Sequence, residues 1–156
     1  MNKDLFDIEI GKNFPEIVNV IIEIPKWSHN KYEFNEDKGL FKLDRVLYSP
    51  IHYPGDYGFI PQTLADDEDP LDVLVIGDDP LFTGCLLEAR PIGLLKMVDD
   101  DENDRKVLAV QKANPRFNTI TTLESLKNLN PHILDEIANF FEVYKKLEGK
   151  KTIIKG

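Results

Sequence analysis

The chain of 156 residues contains one cysteine and three histidines, and it lacks any long apolar run. Cys85 has no partner for an internal disulfide, and the segment Cys85-Leu86-Leu87 is typical of a buried strand, which predicts a core thiol. The richest apolar stretch, residues 18–24, is interrupted by Asn19 and Glu23 and is too short to cross a bilayer. The first residues show no apolar signal core. These absences predict a cytoplasmic protein without a membrane partner.

Familiar catalytic motifs are also absent from the sequence. It has no Gly-rich phosphate loop, no nucleophile elbow and no Cys/His cluster, and its histidines lack the spacing of metal ligands. An EF-hand is excluded by spacing, because Leu71 and Asp72 occupy the positions that require an acid or Asn and a Gly. Any chemistry must therefore come from other constellations of residues.

Acidic charge is abundant, with a formal net charge of −9, and it is unevenly distributed. Residues 66–72 hold five acids, and residues 99–104 hold another five. Such clusters either repel one another in solvent or hold cations. The negative balance opposes a nucleic-acid partner, which requires a basic surface.

The hydrophobic pattern predicts many short strands followed by one long amphipathic helix. Residues 48–61, rich in Pro and Gly, are predicted to form a loop. A capping box of Thr121 and Glu124 precedes a short helix, and Asn130-Pro131 opens the long one, which is predicted to end at Gly149. The apolar stripe of that helix comprises Ile133, Ile137, Phe140, Tyr144 and Leu147. Strands are predicted over residues 17–24, 31–34, 40–46, 73–76, 86–90, 93–98 and 107–111. This layout predicts an α+β, mainly β fold: a small β-barrel flanked by helices, in one domain over residues 1–156.

The first acidic segment leads directly into the apolar strand 73–76, which can hold a site in place. Asp67, Asp69 and Asp72 lie close enough that all three ionise cheaply only with cations between them. Taken alone, the segment is more typical of a solvated Asp-rich turn than of a cation site. Glu23 interrupts an apolar strand and lies either on a solvated face or in a polar barrel mouth.

Basic and phenolic side chains could complete a phosphate site. Arg45 suits two-point contact with a phosphate, and Lys31 suits a point-charge contact. Tyr53 and Tyr57 lie in a Gly- and Pro-rich segment, although aromatic residues there often serve only packing. Many carboxylates for hard cations, together with Lys, Arg and Tyr, indicate metal-assisted phosphoryl transfer.

At this point the residues resemble a known family, the family I soluble inorganic pyrophosphatases. The most specific segment is Asp67-Glu68-Asp69-Pro70-Leu71-Asp72-Val73-Leu74-Val75, which is similar to the family signature. The resemblance extends in order through Ile22-Glu23-Ile24-Pro25, Lys31-Tyr32-Glu33, Asp44-Arg45, Tyr53-Pro54, Tyr57-Gly58, Arg90-Pro91-Ile92-Gly93, Lys96-Met97, residues 99–106 and residues 140–145. Two positions depart from it: Glu68 stands where a small or polar residue is usual, and Asp56 stands where Asn is common.

The resemblance implies a five-stranded OB-like β-barrel flanked by helices and the hydrolysis of pyrophosphate with several Mg²⁺ ions per active site. It implies that Asp69 is the general base on the attacking water. Metal binding would fall to Asp67, Asp72, Asp99, Asp104 and Glu23. Contacts to pyrophosphate or phosphate would fall to Lys31, Arg45, Tyr57, Lys106, Tyr144 and Lys145, with Glu33 and Tyr53 in support. Short prokaryotic members are typically homohexamers, so a homo-oligomer, and a hexamer in particular, is expected by analogy.

Two other functions stay open at this point. One is a non-catalytic cation- or nucleotide-binding OB-type module that kept the fold. The other is an OB-fold binder of single-stranded nucleic acid, which needs a basic aromatic groove that the net charge opposes.

Overall fold

The computed structural model describes residues 4–63 and 69–156. Short 3₁₀ turns lie at Leu5–Asp7, Pro115–Phe117 and Lys146–Glu148. The helices are α1 (Leu123–Leu129) and α2 (Ile133–Val143). The strands are β1 (Val18–Ile24), β2 (Asn30–Asn35), β3 (Leu40–Val46), β4 (Asp56–Ile60), β5 (Leu71–Ile76), β6 (Leu86–Asp99), β7 (Glu102–Gln111) and β8 (Thr152–Ile154).

Five of these strands close into a barrel. The order is β1-β4-β5-β7-β6, and β6 pairs back onto β1, while β8 extends the far side of β6. Only the β5–β7 pair is parallel among the pairings of the described strands. β2 and β3 form a separate antiparallel hairpin. The predicted mainly β fold, a five-stranded OB-like barrel flanked by helices, is confirmed.

Both faces of the barrel wall are buried. Alternate residues of β5 belong to different apolar clusters: Val73 and Val75 pack with the side chains of β1, whereas Leu74 packs in the cluster that contains Phe140 and Phe141 of α2. This double burial explains why residues 73–76 form a continuous apolar run. No helix within the described ranges is both long and apolar enough to cross a membrane.

The predicted loop over residues 48–61 is wrong in its second half. Residues 56–60 form β4, and all five are buried between β1 and β5. Gly58 permits this placement, because a Cβ there would lie 2.0 Å from the carbonyl oxygen of Ile21. In the sequence this glycine indicated a turn, whereas in the structure it allows two strands to approach closely.

Two strand predictions also need correction. Residues 86–90 and 93–98 belong to one strand, β6, whose register shifts between Pro91 and Gly93, because a bulge lets the strand continue past the proline. Cys85 precedes this strand and is only half-buried, so the prediction of a core thiol is wrong.

The helical region starts near the predicted residues but ends earlier than expected. Thr122 caps α1 together with Ser125, one residue later than the predicted pair, and His132 occupies the N-cap position of α2. α2 ends at Val143, and Leu147 lies in a separate 3₁₀ turn with 64% of its surface exposed. Gly149 ends that turn with a φ of 79°. The stripe that packs on the barrel therefore ends at Tyr144.

Candidate active site

Among the described residues, most of the side chains that the sequence singled out line one cavity of about 230 Å³. Its acidic lining residues are Glu23, Glu33, Asp69, Asp72, Asp99 and Asp104. Its basic and phenolic lining residues include Lys31, Lys106, Lys145, Tyr57 and Tyr144. Residues distant in the sequence are thus brought together.

Strand register places the centre of this cavity. Asp72 of β5 and Lys106 of β7 are partners in the parallel pair, and Asp72 also lies opposite Phe59 of β4. Asp104 precedes Lys106 by two residues in β7, so both side chains project from the same face of the strand. The two acidic segments of the sequence therefore meet across adjacent strands.

Lys106 is the buried cation of the site, with 3% of its surface exposed. Its Nζ donates to Tyr57 Oη at 2.6 Å, and it lies 3.0 Å from Asp104 Oδ2 and 3.4 Å from Asp72 Oδ2. Burial lowers the pKa of Lys106, but the two carboxylates outweigh burial and the net pKa is raised. The side chain is an ammonium ion that joins a phenol and two carboxylates.

Glu23 is the buried acid of the site. Its Oε2 accepts a hydrogen bond of 2.8 Å from the backbone amide of Phe34. Burial raises the pKa of Glu23 to about 8, against the lowering effect of that amide, and the nearby charges of Asp72 and Glu33 raise it further. The neutral form of the carboxyl is therefore favoured unless a cation compensates the charge of the ionised form.

A second ion pair joins the end of β6 to the residue that follows the C-cap of α2. Lys145 Nζ lies within hydrogen-bonding distance of Asp99 Oδ2, and both side chains are largely buried. Tyr144 stacks on Phe140 with ring centroids 5.3 Å apart. Burial, followed by the charge of Asp99, raises the pKa of Tyr144 well above its ordinary value, so its phenol is protonated.

The hairpin supplies a third charged group. Asp44 Oδ2 lies 2.9 Å from Lys31 Nζ and 2.6 Å from Arg45 Nη1. Burial raises the pKa of Asp44, but hydrogen bonds and charges from both cations lower it overall. Arg45 also pairs with Glu148, its Nε lying 2.9 Å from Oε1, and it does not line the cavity.

One further predicted residue differs in placement from the rest. Tyr53 is buried behind the cavity, its ring 5.6 Å from Tyr57 and 4.7 Å from Phe140. It therefore contacts the residues that form the site rather than the cavity itself. Asp67 lies outside the described residues.

The structure adds an apolar wall that sequence reasoning missed. Phe6, Ile24, Tyr32, Phe34 and Phe59 line the same cavity. Phe59 lies two residues after Tyr57 in β4, so alternation would have marked it if that strand had been predicted. Phe34 alternates with Lys31 and Glu33 in β2, so spacing alone does not mark it. Phe6 lies in the first 3₁₀ turn, far from every motif, and no local signal marks it.

The lining has the chemistry of a site for hard cations. It contains six acidic and three basic side chains among the described residues, so its carboxylates are only partly compensated. Carboxylate oxygens are the ligands that Mg²⁺ prefers in proteins. In the described ranges no three His, Cys, Asp or Glu residues form a ready metal centre, and Lys106 and Lys145 pair with Asp72, Asp104 and Asp99. The donor set fits Mg²⁺, and the uncompensated Glu23 is the group that a cation would ionise.

Comparison with known proteins agrees with this chemistry. The sequence model described as inorganic pyrophosphatase matches residues 20–156. An inorganic pyrophosphatase of Synechocystis sp. is 56% identical over 140 residues, which cover 90% of this chain and 81% of that protein. Soluble inorganic pyrophosphatase 3 of Arabidopsis thaliana is 49% identical over 148 residues, covering 95% of this chain and 67% of that protein.

The fold is shared with solved structures as well. The crystal structure of inorganic pyrophosphatase from Thermus thermophilus has a TM-score of 0.93 and 43% sequence identity, and the match covers 99% of this chain and 88% of that one. With a family match over residues 20–156, relatives above half identical and this similarity of fold, the chain belongs to the inorganic pyrophosphatase family.

Proposed function

We propose that this chain hydrolyses inorganic pyrophosphate to two orthophosphates in a Mg²⁺-dependent reaction, with Asp69 as the general base. The observation that supports the proposal is the cavity, where six carboxyl groups face three lysines and two buried phenols. Such a lining repels a polyanion unless cations are present, and its lysines supply donors for phosphate oxygens.

Several Mg²⁺ ions would be held by Asp72, Asp99 and Asp104 of the described residues, by Asp67, and by Glu23, which would help to organise the cluster. When bound, Mg²⁺ would lower the pKa of water and offset the negative charge of pyrophosphate. Lys106 and Lys145 already neutralise part of this acidic surface.

Asp69 would take a proton from the water that attacks one phosphorus atom in line. It lines the cavity and is exposed to solvent, which gives water access to its carboxylate. No covalent intermediate on the chain is required. In the sequence, Asp69 lies between the two proposed ligands Asp67 and Asp72.

Binding of pyrophosphate and phosphate would use Lys31, Lys106, Lys145, Arg45, Tyr57 and Tyr144. Lys106 remains charged although buried, and Tyr57 and Tyr144 remain protonated, so each offers a hydrogen-bond donor. Glu33 would orient Lys31, whose Nζ lies 4.0 Å from its Oε2, and Tyr53 would support Tyr57 from behind. Arg45 would reach a phosphate by exchanging one of its carboxylate partners.

The experiment that tests the proposal is phosphate release from pyrophosphate. Purified protein is assayed with Mg²⁺, then with EDTA, and again after Mg²⁺ is restored. We expect release with Mg²⁺, none with EDTA and full recovery on restoration. Absence of release with Mg²⁺ from a folded sample would contradict the proposal and favour a non-catalytic cation- or nucleotide-binding module.

We propose three further properties by analogy with the family. Residues 1–156 form one pyrophosphatase domain, the protein works in the cytoplasm, and it assembles as a homo-oligomer, with a hexamer favoured. Light scattering during size-exclusion chromatography measures the oligomeric state, and a monomeric mass would contradict the third expectation.

A further inference from the structure

Phe6 lines the candidate active site although it lies outside the stretch, residues 20–156, that matches the family. It occupies the 3₁₀ turn Leu5–Asp7, which packs against Ile21, Phe34 and Phe59. One residue from the beginning of the chain thus contacts strands β1, β2 and β4, which surround the cavity.

The ring of Phe6 connects to Glu23 through Phe34. It meets the Phe34 ring edge to face, with centroids 5.3 Å apart and planes at 76°, and it meets Phe59 in the same way at 5.0 Å and 85°. The backbone amide of Phe34 donates the 2.8 Å hydrogen bond to Glu23 Oε2. Edge-to-face pairs of this kind fix ring orientation beyond simple burial.

The backbone of Phe6 connects to the other acidic wall. Its carbonyl oxygen accepts a 2.9 Å hydrogen bond from the amide of Gln62, and Gln62 Oε1 accepts one of 2.9 Å from the amide of Ile10. Gln62 has a φ of 58°, a left-handed conformation that a non-glycine residue adopts only when neighbours hold it.

Thr63, the next residue, continues this second connection. Thr63 Oγ1 accepts from the amide of Leu71 at 2.8 Å and donates to the carbonyl of Ile60. Leu71 directly precedes Asp72, one of the proposed metal ligands. The 3₁₀ turn therefore holds the segment whose bonds fix the start of β5.

We propose that Phe6 is a positioning residue of the active site, whose ring holds the Glu23 wall through Phe34 and whose backbone carbonyl holds the Asp72 wall through Gln62. The inference rests on the proposed function, because the role of Phe6 would be to set the distance between carboxylates that bind Mg²⁺. Phe6 makes no contact with the reacting atoms; it acts through the residues that do.

The test compares Phe6→Ala with Phe82→Ala, a matched loss of a phenyl ring that is 70% exposed and does not line the cavity. Binding of Mg²⁺ is measured by calorimetry without substrate, and kcat and KM for pyrophosphate are measured separately. We expect Phe6→Ala to weaken Mg²⁺ binding and to lower kcat by about 10-fold each, the usual scale for a residue that orients metal ligands, with a smaller change in KM.

A conservative variant and a second connection guard against misfolding. Phe6→Leu keeps apolar bulk and is expected to restore most of both quantities, whereas Gln62→Ala, which removes the bond to Ile10, should weaken Mg²⁺ binding about 2-fold. If Phe6→Ala leaves Mg²⁺ affinity and kcat as in Phe82→Ala, the inference is overturned. Where Phe6→Ala does not fold, Gln62→Ala decides, and Mg²⁺ affinity equal to that of Phe82→Ala overturns the inference.

Failure of the proposed function gives a different result. A wild-type chain that binds Mg²⁺ but releases no phosphate contradicts hydrolysis, while the calorimetric comparison of Phe6→Ala with Phe82→Ala still decides the role of Phe6.

Discussion

At the scale of single residues, the acidic groups of the cavity differ in how their charge is compensated. Asp72 and Asp104 share the ammonium of Lys106, and Asp99 pairs with Lys145. Among the described residues, the Glu23 carboxyl accepts a hydrogen bond from a backbone amide, and burial raises its pKa to about 8 against the lowering effects of that amide and of Lys31. The same side-chain chemistry therefore yields compensated ligands beside one carboxyl that ionises when a cation binds.

The role of Asp69 can be tested by replacing it with its amide. Asp69→Asn keeps the shape of the side chain but removes its capacity to take a proton, so kcat should fall by roughly 100-fold or more. The matched control is Asp79→Asn, an exposed acid that does not line this cavity. Phosphate release is measured on folded, Mg²⁺-loaded samples, and unchanged turnover of Asp69→Asn would show that another group is the base.

Asp56 is a buried acid outside the cavity. It is fully buried, and its Oδ1 accepts from the amides of Lys26 at 2.9 Å and Leu81 at 3.0 Å. Its Oδ2 has no hydrogen-bond partner among the described residues. Burial raises the pKa of Asp56 above its ordinary value, while the two amides oppose the shift.

This raised pKa gives stability a defined pH dependence. The folded state holds its proton more tightly than the unfolded chain, so this contribution is full below the unfolded pKa of about 3.9 and is lost as pH rises through the folded pKa. Asp56→Asn keeps an oxygen that can accept from both amides and removes the charge. At neutral pH, its free energy of unfolding should be about 1 kcal/mol higher than that of the wild type. Urea unfolding from pH 4 to pH 7 measures this gain, which should shrink toward pH 4. An equal gain at every pH would contradict this explanation.

At the scale of elements, the central position of β4 explains much of the site. It pairs with both β1 and β5, and it carries Tyr57 and Phe59 into the cavity. β8 also positions part of the site, because Thr152 Oγ1 donates to the carbonyls of Phe141 and Glu142 at the end of α2. These bonds fix the helix end just before Tyr144 and Lys145.

The close approach of β1 and β4 predicts a large effect for one methyl group. Gly58→Ala places a Cβ 2.0 Å from the Ile21 carbonyl oxygen and 2.9 Å from Ile22 Cα, so the strands must separate. We expect a loss of about 3 kcal/mol in the free energy of unfolding.

Gly149→Ala is the matched control for this substitution. A Cβ at position 149 would meet no atom within 4 Å, but the backbone there has a φ of 79°. The substitution should lower the free energy of unfolding by only about 1 kcal/mol. Urea unfolding compares the two variants, and an equal loss would show that backbone conformation, rather than contact between strands, dominates at Gly58.

At the scale of the whole molecule, the candidate site shares the negative charge of the chain. The formal net charge is −9, and acidic side chains outnumber basic ones two to one in the described lining of the cavity. Repulsion among these groups destabilises the folded state, and bound cations relieve it.

Mg²⁺ should therefore stabilise the protein even without substrate. At a concentration 100 times the dissociation constant, a ligand specific to the folded state adds about 2.7 kcal/mol per site, which corresponds to a rise in Tm of about 5 °C or more. Thermal unfolding with EDTA, with Mg²⁺, and with NaCl at equal ionic strength measures the effect. A rise no larger with Mg²⁺ than with NaCl would argue against a specific metal site.

Prediction from sequence succeeded where the signal is local or carried by a motif. The hairpin of β2 and β3, the strand after the acidic segment and the start of α2 follow from alternation, apolar runs and helical spacing. The motif resemblance also anticipated most of the residues that line the cavity. The turn-rich appearance of residues 56–60 misled, because burial on both sides overrides the local preferences of Gly and Asp.

The sequence by itself determined the family of this protein, its mainly β class and the chemical character of its site, because these depend on residue types in a fixed order. Only the tertiary structure decided that β4 joins β1 to β5 in the barrel, that Lys106 is shared by Asp72, Asp104 and Tyr57, and that Phe6 forms part of the cavity wall. The physical reason is that register, burial and charge pairing depend on contacts between segments far apart in the chain, and no local pattern encodes them.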